Sequence, residues 1–177
     1  MNSIKIEMGA VLALKNVIQL NDLMKEYIND NDKEPSWDGF IYLYKSDDMK
    51  AENIKYRIPV QVKGKNQENL LKKQRISYPV EYKHLRNYYK DGGAFYVVVA
   101  ISDDRRKTTI FYNALTTVKL NALLKNSEKK KPDQTKNVVL ERLKNDDDKL
   151  LFKVLSQFGF DSCLLYTSPS PRDSTSS

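Results

Sequence analysis

Residues 94–101 read AFYVVVAI, an unbroken apolar run rich in β-branched and aromatic side chains. A strand with one solvated face alternates polar and apolar residues, whereas a continuous run requires cover on both faces. Asp91-Gly92-Gly93 ahead of it and the polar DDRRK string at 103–107 behind it mark its ends. A sheet that contains such a strand has to be the middle of a layered fold, with helices as the outer layers.

The rest of the chain supplies those layers. Residues 3–28 carry apolar side chains at helical spacing, with Ile4, Met8, Val11, Leu14 and Ile18 as the stripe. Residues 29–36 are a loop by their turn residues. FIYLY at 40–44 is a strand entered through Trp37-Asp38-Gly39, and the polar KSDDMKAEN stretch is a hairpin connection to YRIPVQVKG. Alternation along that second strand places Gln61 and Lys63 on one face and Ile58, Val60 and Val62 on the other. Pro59 is tolerable near its beginning. Residues 65–79 read as basic and irregular. A helix follows over 80–90, with Tyr82, Leu85 and Tyr89 as its apolar stripe, stopped by Gly92-Gly93. TTIFYNAL at 108–115 is a strand, and the helix after it has a threonine cap. A charged linker is expected over 126–137, then two short helical patterns at 138–144 and 149–158. The order of elements predicts an α/β sandwich with a mixed central β-sheet flanked by helices.

Composition narrows the class. The chain has 177 residues, 40% hydrophobic and 30% charged, enough for one domain with a real core. No apolar run reaches the roughly 18 residues of a membrane span. The opening MNSIKIEMGA lacks the basic-then-apolar build of a signal peptide, so a cytoplasmic protein without membrane attachment is expected. One cysteine excludes a disulfide framework and a thiolate zinc site. The net charge of +7 suits a polyanionic partner or serves solubility alone. At 163–177 the composition changes abruptly to CLLYTSPSPRDSTSS. It reads either as a disordered tail or, since CLLYTSPSPRD resembles the translation of a transposase sequencing adapter, as non-native sequence. On the second reading the native chain is interrupted near Ser162, and 138–162 begins a further helical segment.

Three residues form the candidate chemistry. Asp38 opens one strand, and Gln61 and Lys63 lie on the next. If the two strands pair, an aspartate oxygen, the Gln61 amide oxygen and a backbone carbonyl (that of Val62) are hard ligands of the kind Mg²⁺ takes. A lysine two residues on projects beside such an ion and can steady charge on a phosphate. Each residue has a plainer reading: a solvated strand face for Gln61 and Lys63, turn chemistry for Asp38. Glu7 is either a first-turn acid favoured by the helix dipole or an acid aimed at the site. Lys65, Lys72, Lys73 and Arg75 form a solvated or a phosphate-contacting loop. His84, the only histidine, reads as solvent-facing, and Tyr88, Tyr89 and Tyr112 as core.

Asp38 followed by Gln61-x-Lys63 resembles the PD-(D/E)XK nuclease superfamily. The longer pattern of WDGFIYLY, IPVQVKGK, YPVEYKHLRNYYKDGGAFYVVVAI and TIFYNAL is similar to domain-of-unknown-function family four-three-six-five, over roughly residues 3–125. The resemblance implies a restriction-endonuclease-like domain over 1–125. It further implies a Mg²⁺- or Mn²⁺-dependent DNA endonuclease in a prokaryotic defence context, acting as a homodimer or with defence partner proteins. DNA is expected over RNA. By position, Asp38 matches the metal-binding acid, Lys63 the catalytic lysine and Glu7 an acid some members carry on their first helix. Gln61 stands where many members have Glu or Asp. The alternatives are a nucleic-acid-binding module that no longer cuts and an interaction domain of a defence assembly.

Overall fold

The computed structural model describes residues 3–29 and 36–167. Four helices and seven strands follow in the order α1 (Ser3–Ile18), β1 (Met24–Ile28), β2 (Gly39–Tyr44), β3 (Ile54–Asn66), β4 (Arg75–Glu81), α2 (Tyr82–Lys90), β5 (Ala94–Ile101), β6 (Thr108–Leu115), α3 (Thr117–Leu123), β7 (Thr135–Arg142) and α4 (Asp148–Thr167). The strands form one mixed sheet in the order β1-β2-β3-β5-β6-β7-β4. Among the described residues only β3 and β5 run parallel, and the other pairings are antiparallel.

All of β5 is buried, and its side chains alternate between two cores. Phe95, Val97, Val99 and Ile101 join α1 and α4 on one face, together with Ile58, Val60 and Val62 of β3. Ala94, Tyr96, Val98 and Ala100 join α2, α3, β4 and β7 on the other. The sheet curls toward this second face. Three strand steps separate β5 from β4, about 14 Å in a flat sheet, yet the rings of Tyr78 and Tyr96 lie 6.2 Å apart. The curl passes through a thin seam: β6 and β7 pair only at Phe111↔Arg142 and Tyr112↔Glu141.

Several expectations change. The first helix ends at Ile18, not at 28, because Asn21 folds its side chain onto Leu23 N (3.0 Å) and the chain turns into β1. Met24 and Ile28 are four apart, which suits a helix and a strand equally. The buried side of α1 is Ile6, Ala10, Val11, Leu14, Val17 and Ile18; Ile4 and Met8, assigned to the core stripe, face outward. The basic stretch is not irregular throughout: from Arg75 it is β4, where Ile76 and Val80 point inward. Pro79 is accommodated because β4 is an edge strand. Pro59 precedes the pairing with β5, which begins at Val60. Residues 138–142 are strand, not helix, with Val138 and Leu140 alternating inward. The sheet therefore takes in chain beyond 125. The second helical pattern is α4, capped by the Asp147 carboxylate at Lys149 N (2.9 Å) and Leu150 N (3.3 Å). Helix α4 runs past Ser162 to Thr167. Most of the predicted 29–36 loop and of the Ser/Pro/Thr string lies outside the described residues.

Leu151, Leu155 and Phe158 bring α4 into the first core. Leu155→Ala should lower unfolding stability by about 2–5 kcal/mol, since a fully buried leucine is lost and a cavity remains. Urea denaturation followed by circular dichroism measures it. A loss under 1 kcal/mol would mean that α4 is not part of the core.

Candidate active site

Asp38 is spliced onto β3 at the point where β2 begins. Its N–H donates to Val60 O (3.0 Å), its carbonyl accepts from Asn29 N (3.0 Å), and its carboxylate Oδ2 accepts from Val62 N (2.8 Å). The side chain thereby takes the place a neighbouring strand's carbonyl would have. Glycine follows for a steric reason: a Cβ on Gly39 would lie 2.0 Å from Tyr27 O, so only glycine lets β2 start flush against β1.

This splice puts Asp38 within one residue of Gln61. Both are buried, at 8% and 6% exposure. Gln61 lies opposite Tyr96 of β5 in the parallel register, on the face away from Ile58, Val60 and Val62. Tyr96 packs edge-on against Tyr88 of α2 at 6.2 Å, and Tyr88 against Trp37 at 5.7 Å. Burial first, then the Asp38 charge, pushes the Tyr88 hydroxyl far above its ordinary range. Tyr96 is raised likewise by burial, then by Tyr88, Tyr78, Asp38 and Glu81. Both phenols are therefore neutral donors facing the carboxylate's field.

Two buried side-chain polar atoms lack a hydrogen-bond partner among the described residues: Gln61 Oε1 and Trp37 Nε1. Both belong to this cluster. Buried polar atoms are almost always paired, and an unpaired one marks a place where a ligand, ion or water belongs. The donor set fits a hard cation: one carboxylate, one amide oxygen and the Val62 carbonyl between β3's two site residues. Among the described residues no group of three or more His, Cys, Asp or Glu could hold a metal. Of the three donors named here, one is a carboxylate.

Lys63 is half-buried on the Gln61 face and makes no ion pair among the described residues. Its charge reaches His84. Glu7 is half-buried on α1, and its charge adds to burial in raising Tyr78, the β4 tyrosine packed against Tyr96. Lys65, Lys72 and Lys73 are exposed, and Lys65 shares the Lys63 face by alternation. Arg75 is committed elsewhere, to Glu141 across the β4–β7 pair at 3.2 Å.

His84, read as solvent-facing, is half-buried and packs against Ser36. Its Nδ1 lies 2.6 Å from Ser36 Oγ, which also accepts from Asn87 Nδ2 (3.0 Å), while Tyr88 Oη donates to Ser36 O (2.6 Å). Glu81 Oε1 stands 4.0 Å from Nε2. The Ser36–His84–Glu81 order resembles a hydrolase relay, but Ser36 is buried, at 6% exposure, and its hydroxyl already accepts a hydrogen bond. Its work is to clamp the residue two before Asp38 onto α2. Ser36 holds φ 75, a left-handed conformation that needs such restraint. Sequence reasoning did not find Ser36, Trp37, Glu81 or Tyr96, although the spacing of Tyr88 and His84 on one side of α2 was visible. Compared with protein-family models, curated proteins and solved structures, the chain matches none.

Tyr88→Phe should cost about 1–3 kcal/mol, because the buried Ser36 carbonyl loses its donor; thermal unfolding reads it. The imidazole of His84 is held below its ordinary 6.5, chiefly by burial, against the opposing pull of Glu81 and with Lys83 and Lys63 adding to the depression. Below pH 6.5 the unfolded chain binds the proton before the folded one does. Stability should fall as pH drops through that value, and His84→Gln should flatten the dependence. A slope unchanged by the substitution would remove His84 as its source.

Proposed function

We propose that the chain is a restriction-endonuclease-like, metal-dependent nuclease domain that hydrolyses phosphodiester bonds in DNA in a prokaryotic defence setting. The reading rests on the buried Gln61 amide oxygen, unpartnered among the described residues, beside the pinned Asp38 carboxylate. A hard cation would satisfy that oxygen and remove a penalty of about 1–3 kcal/mol. Asp38, Gln61 and the Val62 carbonyl would hold Mg²⁺ or Mn²⁺, which supplies Lewis-acid stabilisation of a phosphoryl oxygen and a more acidic bound water. Lys63, two residues along the same face, steadies the charge that grows on the phosphate and orients the attacking water. Glu7, whose field reaches the tyrosine cluster from α1, biases the protonation of that water. Lys65, Lys72 and Lys73 contact the flanking backbone as exposed cations; Arg75 contributes less, being neutralised by Glu141. Cutting two strands calls for a homodimer or for a partner in the defence assembly.

The neutral Gln61 amide, where an acid would bind a cation more tightly, and the exposed Lys65, Lys72 and Lys73 favour a second reading, a nuclease-like module that binds DNA without cutting. Plasmid DNA incubated with the protein and Mg²⁺ or Mn²⁺ separates the two. We expect cleavage that Asp38→Ala and Lys63→Ala abolish, and Gln61→Glu should lower the metal concentration for half-maximal cleavage by roughly tenfold, because ligand charge sets affinity. Salt-sensitive binding with no cutting under either metal assigns the second reading. Equal cleavage by the wild type and both alanine variants rejects the site.

A further inference from the structure

Helix α1 is apolar on two sides. One side fills the first core through Ile6, Ala10, Leu14 and Val17. On the other, Ile4, Met8 and Leu12 stand four residues apart and are 61%, 42% and 57% exposed. A helix that gives one face to a core normally turns charge outward. Here an i, i+4, i+8 row of large apolar side chains takes that place, the spacing by which one helix presents anchors to another.

A depression of about 310 Å³ lies along this row, lined by Lys5, Met8, Gly9, Leu12, Lys15 and Arg105, with Val11 behind them. Gly9 contributes no side chain to fill it. Arg105 comes from the β5–β6 turn, where its N–H donates to Ser102 O (2.9 Å) and its φ is 62. A non-glycine residue in that left-handed region is uncommon, and this one brings an arginine to the edge of an apolar groove. The lining carries three cations and no acid. Lys15 has only a 4.0 Å approach to Glu26, and Lys5 makes no ion pair among the described residues.

We propose that this face docks an acidic amphipathic helix of another protein, whose apolar residues seat on Met8 and Leu12 while flanking carboxylates meet Lys5, Lys15 and Arg105. Charge complementarity selects this occupant. A second copy packed symmetrically on the same face would set the three cations against themselves. An anionic membrane would match the charge but has no projection to fill a depression. The surface is separate from the Asp38–Gln61 cluster and does not depend on any nuclease activity.

The full chain is titrated into two labelled, stapled helices that share a leucine row at every fourth position, one flanked by glutamates and the other by lysines. Vesicles of phosphatidylglycerol and phosphatidylcholine form a third arm, and light scattering reports self-association. The glutamate helix should bind and the lysine helix should not. Leu12→Glu should weaken binding by at least about tenfold with an unchanged circular dichroism spectrum, since Leu12 is outside the core. Reversing Lys5, Lys15 and Arg105 to glutamate should transfer preference to the lysine helix. Equal binding of the two helices, binding to vesicles alone, a dimer abolished by Leu12→Glu, or no binding to any probe would each overturn the proposal.

Discussion

The parallel pairing of β3 with β5 is the constraint on which the remaining structure depends. It runs from Val60↔Phe95 to Asn66↔Ile101 and is the only parallel pairing among the described residues. A parallel neighbour cannot be reached by a tight turn, so β4 and α2 have to intervene. That detour delivers α2 to the second face, where Tyr88, Asn87 and His84 meet Ser36. It also sends β4 to the far edge, from which the curl returns Tyr78 to Tyr96. The polar cluster around Gln61 is thus assembled by the same connection that completes the sheet.

Within that cluster, the Asp38 carboxylate has two duties that compete. Its bond to Val62 N continues the β3 ladder past the end of β2. Its charge also acts on two neutral tyrosines, Tyr88 and Tyr96. Burying a carboxylate is unfavourable unless hydrogen bonds or a cation compensate it. The Val62 amide supplies part of that compensation. The Ser36 clamp explains why the approach to Asp38 holds its shape: three side chains of α2 grip a single residue held in a left-handed conformation.

Much of this was legible in the sequence where one physical signal dominated. AFYVVVAI was the best candidate for a strand covered on both sides and is buried throughout, and the alternation in RIPVQVKGK sorted Gln61 and Lys63 from Val60 and Val62 correctly. The errors fell where two periods coincide. Met24 and Ile28, or Leu140 and Leu143, satisfy helical spacing while sitting in or beside strands. On α1 the outward Ile4 and Met8 passed for core because hydrophobicity marks an apolar residue without saying which neighbour covers it. The clamp was illegible for another reason: Ser36 and His84 are forty-eight positions apart, and only the crossover brings them together.

The two-pair seam between β6 and β7 has a consequence for motion. Beyond Tyr112 and Glu141 the backbone ladder stops, Asn113 Nδ2 still donates across to Val139 O (2.8 Å), and β7 keeps its full ladder with β4. The β4–β7 ribbon is consequently joined to the rest of the sheet through a narrow strip and packed down by Ile76, Val80, Val138 and Leu140. Opening it breaks few backbone bonds and leaves the β3–β5 spine whole, as sub-global unfolding units do. Amide exchange along this ribbon would then run ahead of the spine, and Tyr78 would leave Tyr96 in the same event, exposing the Gln61 face to water.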